Sequence, residues 1–201
     1  MNERNYEELL NINTTEKQKG FHPSFHYHRY EPTPYLALQK LLESYELKSS
    51  DRVVDFGCGK GRLNFFLHYE VKATVVGIEM DETFYQKALD NREHYFEKYK
   101  AFPKNLSFIS CLAEEYDIHP LDNRFYFFNP FTVQIFRNVI DNILLSVEQS
   151  YRHIELILYY PSADYLFFLE NHPSFELKVE VPLPSYEQNM NERIVVYQLT
   201  Y

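Results

Sequence analysis

Two stretches decide the fold: VVDFGCGKGR, Val53 to Arg62, and VVGIEMD, Val75 to Asp81. In the first, a short apolar run passes through Asp55, and Gly57, Gly59 and Gly61 follow at alternate positions. Glycines spaced in this way let the chain turn sharply and let a ligand approach the backbone. The helix that begins at about Gly61 points its first amides into the same space. The second stretch is a β-branched strand closing on Glu79, 22 residues after Gly57. A carboxylate at that place accepts hydrogen bonds from the two hydroxyls of a ribose.

Outward from these stretches, short apolar runs alternate with helical patterns. Arg52–Phe56, Thr74–Glu79, Leu106–Ser110, Arg124–Phe128 and Ile154–Tyr160 read as strands. Gly61–Tyr69 reads as a helix, and Asp81 caps a longer one that runs to about Tyr99 with an apolar stripe of Phe84, Ala88, Leu89, Tyr95, Phe96 and Tyr99. Ile135, Phe136, Val139, Ile140, Ile143, Leu144 and Val147 recur at spacings of three and four, a core-facing helix. A shorter helix spans Ser162–Asn171. Phe175–Val181 and Arg193–Thr200 are two more strands with a polar linker, Pro182–Glu192, and no helix between them. Alternation of this kind predicts right-handed βαβ units and an α/β fold. It gives a seven-stranded, mostly parallel sheet with helices on both faces, whose last strand returns antiparallel.

The first 35 residues read as an arm or lid, and residues 36–201 as the domain proper. Met1–Leu10 fits a short helix, and HPSFHYHRYEPTPY, His22 to Tyr35, carries three prolines that block regular structure. A helix follows over about Tyr35–Tyr45. Tyr30, Thr33 and Tyr35 are candidates to cover a bound ligand, or to pack the arm on the sheet. His22, His26 and His28 lack a metal-ligand spacing and read as hydrogen-bonded or solvated arm residues, so no metal is expected.

Composition sets outer bounds. The 201 residues suit one domain with an added arm. Lys plus Arg is 20 against 29 Asp plus Glu, a net charge of −9, which disfavours long contacts with a phosphate backbone. A small-molecule partner is favoured over nucleic acid. Cys58 and Cys111 form no disulfide framework, which points to a reducing, cytoplasmic home. MNERNYEELL is no secretory signal, and no apolar run is long enough for a membrane helix, so no membrane partner is expected. There are 18 Tyr and 17 Phe but no Trp, a surplus that fits a core and a pocket with apolar walls and polar tips.

The loop has two possible ligands. A dinucleotide fingerprint needs G-x-G-x-x-G/A, and here Arg62 stands at the last position, where it would crowd helix against strand. Asp55 beside the loop repels phosphates and suits an ammonium or sulfonium group. Cys58 reads as a small residue that tolerates the turn.

With DFGCGKG and GIEMD in place, the chain resembles the class I S-adenosylmethionine-dependent methyltransferases, over about Tyr30 to Tyr201. The resemblance implies a Rossmann-like fold, S-adenosylmethionine as cofactor and S-adenosylhomocysteine as product. Asp55, Gly57, Cys58, Gly59 and Gly61 would then surround the methionine part, Glu79 the ribose, and Met80 the adenine. CLAEEY, Cys111 to Tyr116, is similar to the family's stretch after strand three, with Leu112 and Ala113 facing the adenine and Leu112 standing where an acidic residue is usual. FFNPF, Phe127 to Phe131, resembles the Asn/Asp-Pro-Pro-aromatic of amino-directed members with one proline fewer. It makes Asn129 and Phe131 the candidate catalytic pair and an amine nitrogen a candidate acceptor. Tyr160, after strand five, is a candidate substrate contact. Three other readings stay open: a catalytically silent cofactor-binding sensor or partner subunit, a protein or RNA acceptor, and a nucleotide-dependent oxidoreductase.

Overall fold

A computed structural model describes residues 3–15, 27, 29–99 and 105–200. The elements in chain order are α1 (Glu3–Leu10), α2 (Tyr35–Ser44), β1 (Arg52–Phe56), α3 (Arg62–Glu70), β2 (Thr74–Glu79), α4 (Glu82–Tyr99), β3 (Leu106–Ser110), β4 (Arg124–Phe127), α5 (Val133–Gln149), β5 (Glu155–Tyr159), α6 (Ala163–Glu170), β6 (Phe175–Pro182) and β7 (Arg193–Leu199). One sheet holds all seven strands in the order β3-β2-β1-β4-β5-β7-β6. The pairs β3–β2, β2–β1, β1–β4 and β4–β5 are parallel. β7 runs antiparallel between β5 and β6, so it alone points the other way. The chain winds from β1 toward β3 on one side, then returns to lay β4 against the other side of β1. That reversal opens a crevice at the carboxyl ends of β1 and β4, where open α/β sheets take their ligands.

Alternate residues of each central strand feed two cores. Val53, Val75, Tyr126 and Ile157 meet side chains of α1 to α4, among them Tyr6, Leu38, Phe66 and Ala88. Val54, Val76, Phe125 and Leu156 meet α5 and α6 through Phe136, Val139, Ile140, Ile143 and Tyr165. Both faces are covered, which is why these strands read as continuous apolar runs rather than alternating ones. β6 is the exposed edge and carries Glu176, Lys178 and Glu180, charges that discourage pairing with another chain. Asp81 Oδ1 accepts from the amides of Thr83 (2.8 Å) and Phe84 (3.1 Å), capping α4 as its sequence position requires. Among the described residues no helix is long and apolar enough to cross a membrane.

The N-terminal segment is locked to the body by Arg62, at the first turn of α3. Its Nε donates to Thr14 Oγ1 (2.7 Å), its Nη1 to the Thr33 carbonyl (3.3 Å), and its head pairs with Glu3 and Glu7. The guanidinium also lies 4.6 Å from the centre of the Tyr35 ring. Glu7 in turn accepts from the Thr14 amide (2.6 Å) and the Tyr35 hydroxyl (2.8 Å). Arg62 therefore does not crowd helix against strand; it turns away from the sheet into this cluster. A second tie comes from Asn91 of α4, which accepts from the Asn13 amide (2.8 Å) and donates to the carbonyls of Asn13 (3.2 Å) and Lys60 (3.1 Å). The periodic stripe of α4 omitted Asn91, a polar side chain that is buried because it binds the arm.

Arg62→Ala leaves the buried Glu7 without its cation, and removing one partner of such a pair costs about 3–5 kcal/mol. Urea unfolding should show that loss, and Arg62→Lys should not restore it, because one ammonium cannot serve two carboxylates, a hydroxyl and a carbonyl at once.

Candidate active site

The loop after β1 is fixed to the end of β2 by its own backbone. The amides of Gly57 and Cys58 both donate to the Ile78 carbonyl, at 2.9 and 3.0 Å. Gly57 has φ +77°, and a Cβ there would stand 2.7 Å from Pro130 Cβ in the segment after β4. Gly59 has φ +55°, and a Cβ there would stand 2.1 Å from the ring of Tyr30. Glycine is thus required at the first position for β4 to approach and at the second for the arm to approach.

Two carboxylates stand behind this loop. Glu79 Oε2 accepts from the Gly59 amide and its Oε1 from the Asp81 amide, each at 2.8 Å. Burial pushes its pKa up to about 6, against the pull of those amides. Asp55 is raised well above the usual carboxylate range, by burial first and then by the charge of Glu79. The amide of Asn64, oriented to satisfy both neighbours, donates to Asp55 Oδ2 (2.9 Å) and accepts from the Gly77 amide (3.2 Å). The Cys58 thiol is also pushed up, by burial and then by Asp55 and Glu79, which disfavours a reactive thiolate.

In front of the loop lies a cleft of about 690 Å³, counting the open space at its mouth. Gly57, Glu79 and Met80 line it, with Ile78, Asp81 and Phe84 beside them. Cys111 and Ala113 form another part of the wall, and Phe128, Pro130 and Phe131 come from the end of β4. The arm supplies Tyr27, Arg29, Tyr30 and Glu31. It spans the crevice like a strap. Tyr27 bridges antiparallel to Phe131 at one end, and at the other the Tyr30 ring covers Gly59, packs 4.7 Å from Phe84 and donates its hydroxyl to the Thr14 carbonyl (2.9 Å).

Several expected site residues stand elsewhere. Asp55, Cys58, Gly59 and Gly61 build the loop without lining the cleft. Leu112 is not on the wall; it begins the 3-10 turn Ala113–Glu115, and its neighbours Cys111 and Ala113 face the cleft instead. Thr33 and Tyr35 do not cover the cleft. Thr33 is buried with its hydroxyl 2.8 Å from that of Tyr126, and Tyr35 is buried, stacked 4.6 Å from Tyr6. Tyr160 is off the wall too, 6.5 Å from the Phe128 ring and held by Asn189 Nδ2 at 2.9 Å. Asn129, with φ +42° and its Oδ1 buried, turns the chain so that Phe128 and Pro130 reach the cleft in its place. Phe131 does line the cleft, but its ring sits edge-on to Phe127 and Tyr27 and is 1% exposed, a wall rather than a stacking platform. His22, His26 and His28 lie outside the described residues. Arg29 and Glu31 carry no motif that would single them out; Phe128 stands inside FFNPF, and the turn at Asn129 is what brings it to the cleft.

Residues 35–161 match a family model described as a methyltransferase domain. The chain belongs to that methyltransferase family. Solved structures share the fold at low identity. An RNA methyltransferase from Salinibacter ruber in complex with S-adenosyl-L-homocysteine aligns with a TM-score of 0.55 and 16% identity over 85% of this chain and 92% of that one. An rRNA methylase from Streptococcus thermophilus gives 0.55 and 16%, over 85% and 97%. The human methyltransferase 10 domain containing protein gives 0.59 and 11%, over 96% and 91%. No curated protein matches the sequence.

The protein is an S-adenosylmethionine-dependent methyltransferase, and its donor set fits that cofactor. Glu79 brings a carboxylate to the cleft wall, and each of its oxygens keeps a second lone pair, beyond the amide it holds, that can accept from a hydroxyl. Ile78, Met80 and Phe84 are apolar walls. The Gly59 amide already binds Glu79, and two carboxylates stand at the loop, so a pyrophosphate would meet negative charge there.

The contact of Gly59 with Tyr30 is testable by a double-mutant cycle. Gly59→Ala should cost about 1–2 kcal/mol for its left-handed backbone, plus a clash term. In a Tyr30→Ala background only the backbone part should remain, as read by denaturant unfolding.

Proposed function

We propose that the enzyme methylates a small-molecule acceptor, at a nitrogen that is neutral when bound. The observation that carries this reading is the charge of the cleft. Among the described residues its wall holds three carboxylates, Glu31, Glu79 and Asp81, against one guanidinium, Arg29, on a chain of net charge −9. A polynucleotide brings phosphates to such a surface and gains little from it. The strap from Tyr27 to Glu31 also crosses the crevice, which suits a compact acceptor more than a polymer. Several of the structural neighbours are named as RNA methylating enzymes; at 15–16% identity they speak for the fold, and RNA is the competing reading.

In this proposal Glu79 accepts from the ribose hydroxyls, Ile78, Met80 and Ala113 flank the adenine, and Gly57 offers backbone to the methionine part. Bound there, the cofactor supplies a methyl group made electrophilic by its sulfonium. The residues do the rest by orientation and electrostatics. Gly57 and Pro130 hold the ends of β1 and β4 together, and Phe128, Phe131 and Tyr27 keep water from the acceptor's side. Among the described residues no histidine lines the cleft, and the raised Cys58 thiol stays protonated. A neutral amine is the nucleophile that asks for no base.

Calorimetry with S-adenosylmethionine and S-adenosylhomocysteine, followed by transfer of labelled methyl to a panel of small amines, total RNA and protein, tests the reading. Label on RNA alone would overturn it. Glu79 gives a pH signature. Protonation below about 6 removes the charge that accepts the ribose hydrogen bonds, so affinity for S-adenosylhomocysteine should rise as pH goes up through that value. Glu79→Gln should flatten the profile, and Glu79→Ala should weaken binding by about 2–4 kcal/mol, the worth of one or two hydrogen bonds to charge.

A further inference from the structure

Phe128 lines the cleft while packing only partly against the core. It is half-buried, whereas the flanking Phe127 and Phe131 are fully packed. Its ring lies 4.4 Å from the Tyr159 ring, tilted by 51°, and 6.5 Å from the Tyr160 ring at 65°. Both strand ends that bring these rings together are turned by left-handed residues: Asn129 after β4 at φ +42° and Tyr160 after β5 at φ +50°. A tyrosine in that region is a genuine outlier, held only where its surroundings over-determine it. Here the Tyr160 amide donates to the Arg193 carbonyl (3.1 Å), and its hydroxyl accepts from Asn189.

Carboxylates surround this ring group. Glu31 lines the same cleft as Phe128, and its charge helps to raise the pKa of Tyr159. Glu192 accepts from the Tyr159 hydroxyl at 3.3 Å. Ring faces carry the negative lobe of their quadrupole, and carboxylates carry full charge, so both attract cations and both repel anions. Arg29, the one cation of the wall among the described residues, is exposed.

We infer that Glu31 and the Phe128 ring, backed by Tyr159 and Tyr160, form an acceptor subsite selective for an organic cation, so that the acceptor carries an ammonium group or an equivalent positive charge beside the atom that is methylated. This rests on the small-molecule reading above and narrows it. The cation is a handle, not the nucleophile: Glu31 balances its charge, the Phe128 ring covers its apolar carbons, and the methylated nitrogen is a separate, neutral one.

Three probes of one shape separate the outcomes: phenethylammonium, 2-phenylethanol and phenylacetate, titrated into the full chain with and without saturating S-adenosylhomocysteine and followed by ligand-observed NMR. The ammonium should bind at least about tenfold more tightly than the alcohol, the scale of a desolvated cation on ring faces with a carboxylate nearby, and phenylacetate should not bind. Glu31→Gln should bring ammonium and alcohol to within about threefold of each other as the charge term disappears, with S-adenosylhomocysteine affinity unchanged. Phe128→Ala should weaken both probes together. Equal binding of all three, a preference for phenylacetate, no ammonium binding, or a preference that survives Glu31→Gln overturns the inference. These are binding readouts, so a labelled methyl found on RNA would bring down the small-molecule reading without imitating any of them. Absence of S-adenosylhomocysteine binding would be seen in a separate titration.

Discussion

The buried guanidinium of Arg62 is the interaction on which the rest of the site depends. It opens α3 directly after the last loop glycine, so its position is set by the cofactor loop. Its donors are spent on Glu3, Glu7, Thr14 and Thr33, so the position of the N-terminal segment is set by it. Thr33, two residues after the cleft-lining Glu31, belongs to this cluster, and Tyr30 donates its hydroxyl to the carbonyl of Thr14 in the same cluster. One planar fork thereby ties the cleft-lining residues Tyr30 and Glu31 to the body. A buried ion pair of this kind adds little net stability, because desolvation cancels much of its Coulomb energy. Its contribution is geometric: the arm has one place in which all these groups are satisfied.

The loop itself is electrostatically uncomfortable without a ligand. Asp55 and Glu79 are both buried and both raised. A carboxylate whose folded pKa is raised favours the fold below its ordinary value, and that contribution fades as pH climbs through the folded one. For Glu79 this window runs from 4.5 to about 6. At neutral pH Glu79 therefore holds negative charge at some cost to the fold, and a positive charge beside it would offset that cost. In the reading proposed above the same charge favours a sulfonium nucleoside over a dinucleotide.

The fold was legible because its signals are local. The central strands announced themselves by apolar runs, and Asp81 caps the helix that its position called for. Strand ends moved by a residue or so: Phe128 and Tyr160 lie beyond β4 and β5, since an apolar run does not record where a left-handed turn breaks the ladder. The glycine loop and Glu79 were legible for the same local reason. Asn91 and Arg62 were not. Their partners Asn13 and Thr14 lie 78 and 48 residues away, and no spacing rule reports a partner at that distance. For Thr33 and Tyr35 the sequence leaves cover and packing both open, because a proline-rich aromatic run reads alike whether it roofs a cleft or packs into a core. Tyr30 and Tyr35 sit five residues apart; Tyr30 lines the cleft, while Tyr35 is held in the core by Glu7, Arg62 and the Tyr6 ring.

Sheet and acceptor are decided by different parts of the chain. The sheet and its loop superpose on proteins with 11–16% identity, so the order of strands tolerates almost complete replacement of side chains. Core positions need only be apolar and of suitable volume. The acceptor's side is built differently: Arg29 and Glu31 hang on an irregular strap, and Phe128 follows from a single strained residue after β4. A change of one side chain there alters the charge of the cleft without disturbing the packing of the strands. Acceptor choice can therefore drift while the fold stays constant. A fold shared with RNA-methylating enzymes says little about this enzyme's acceptor, and the charges on its strap say more.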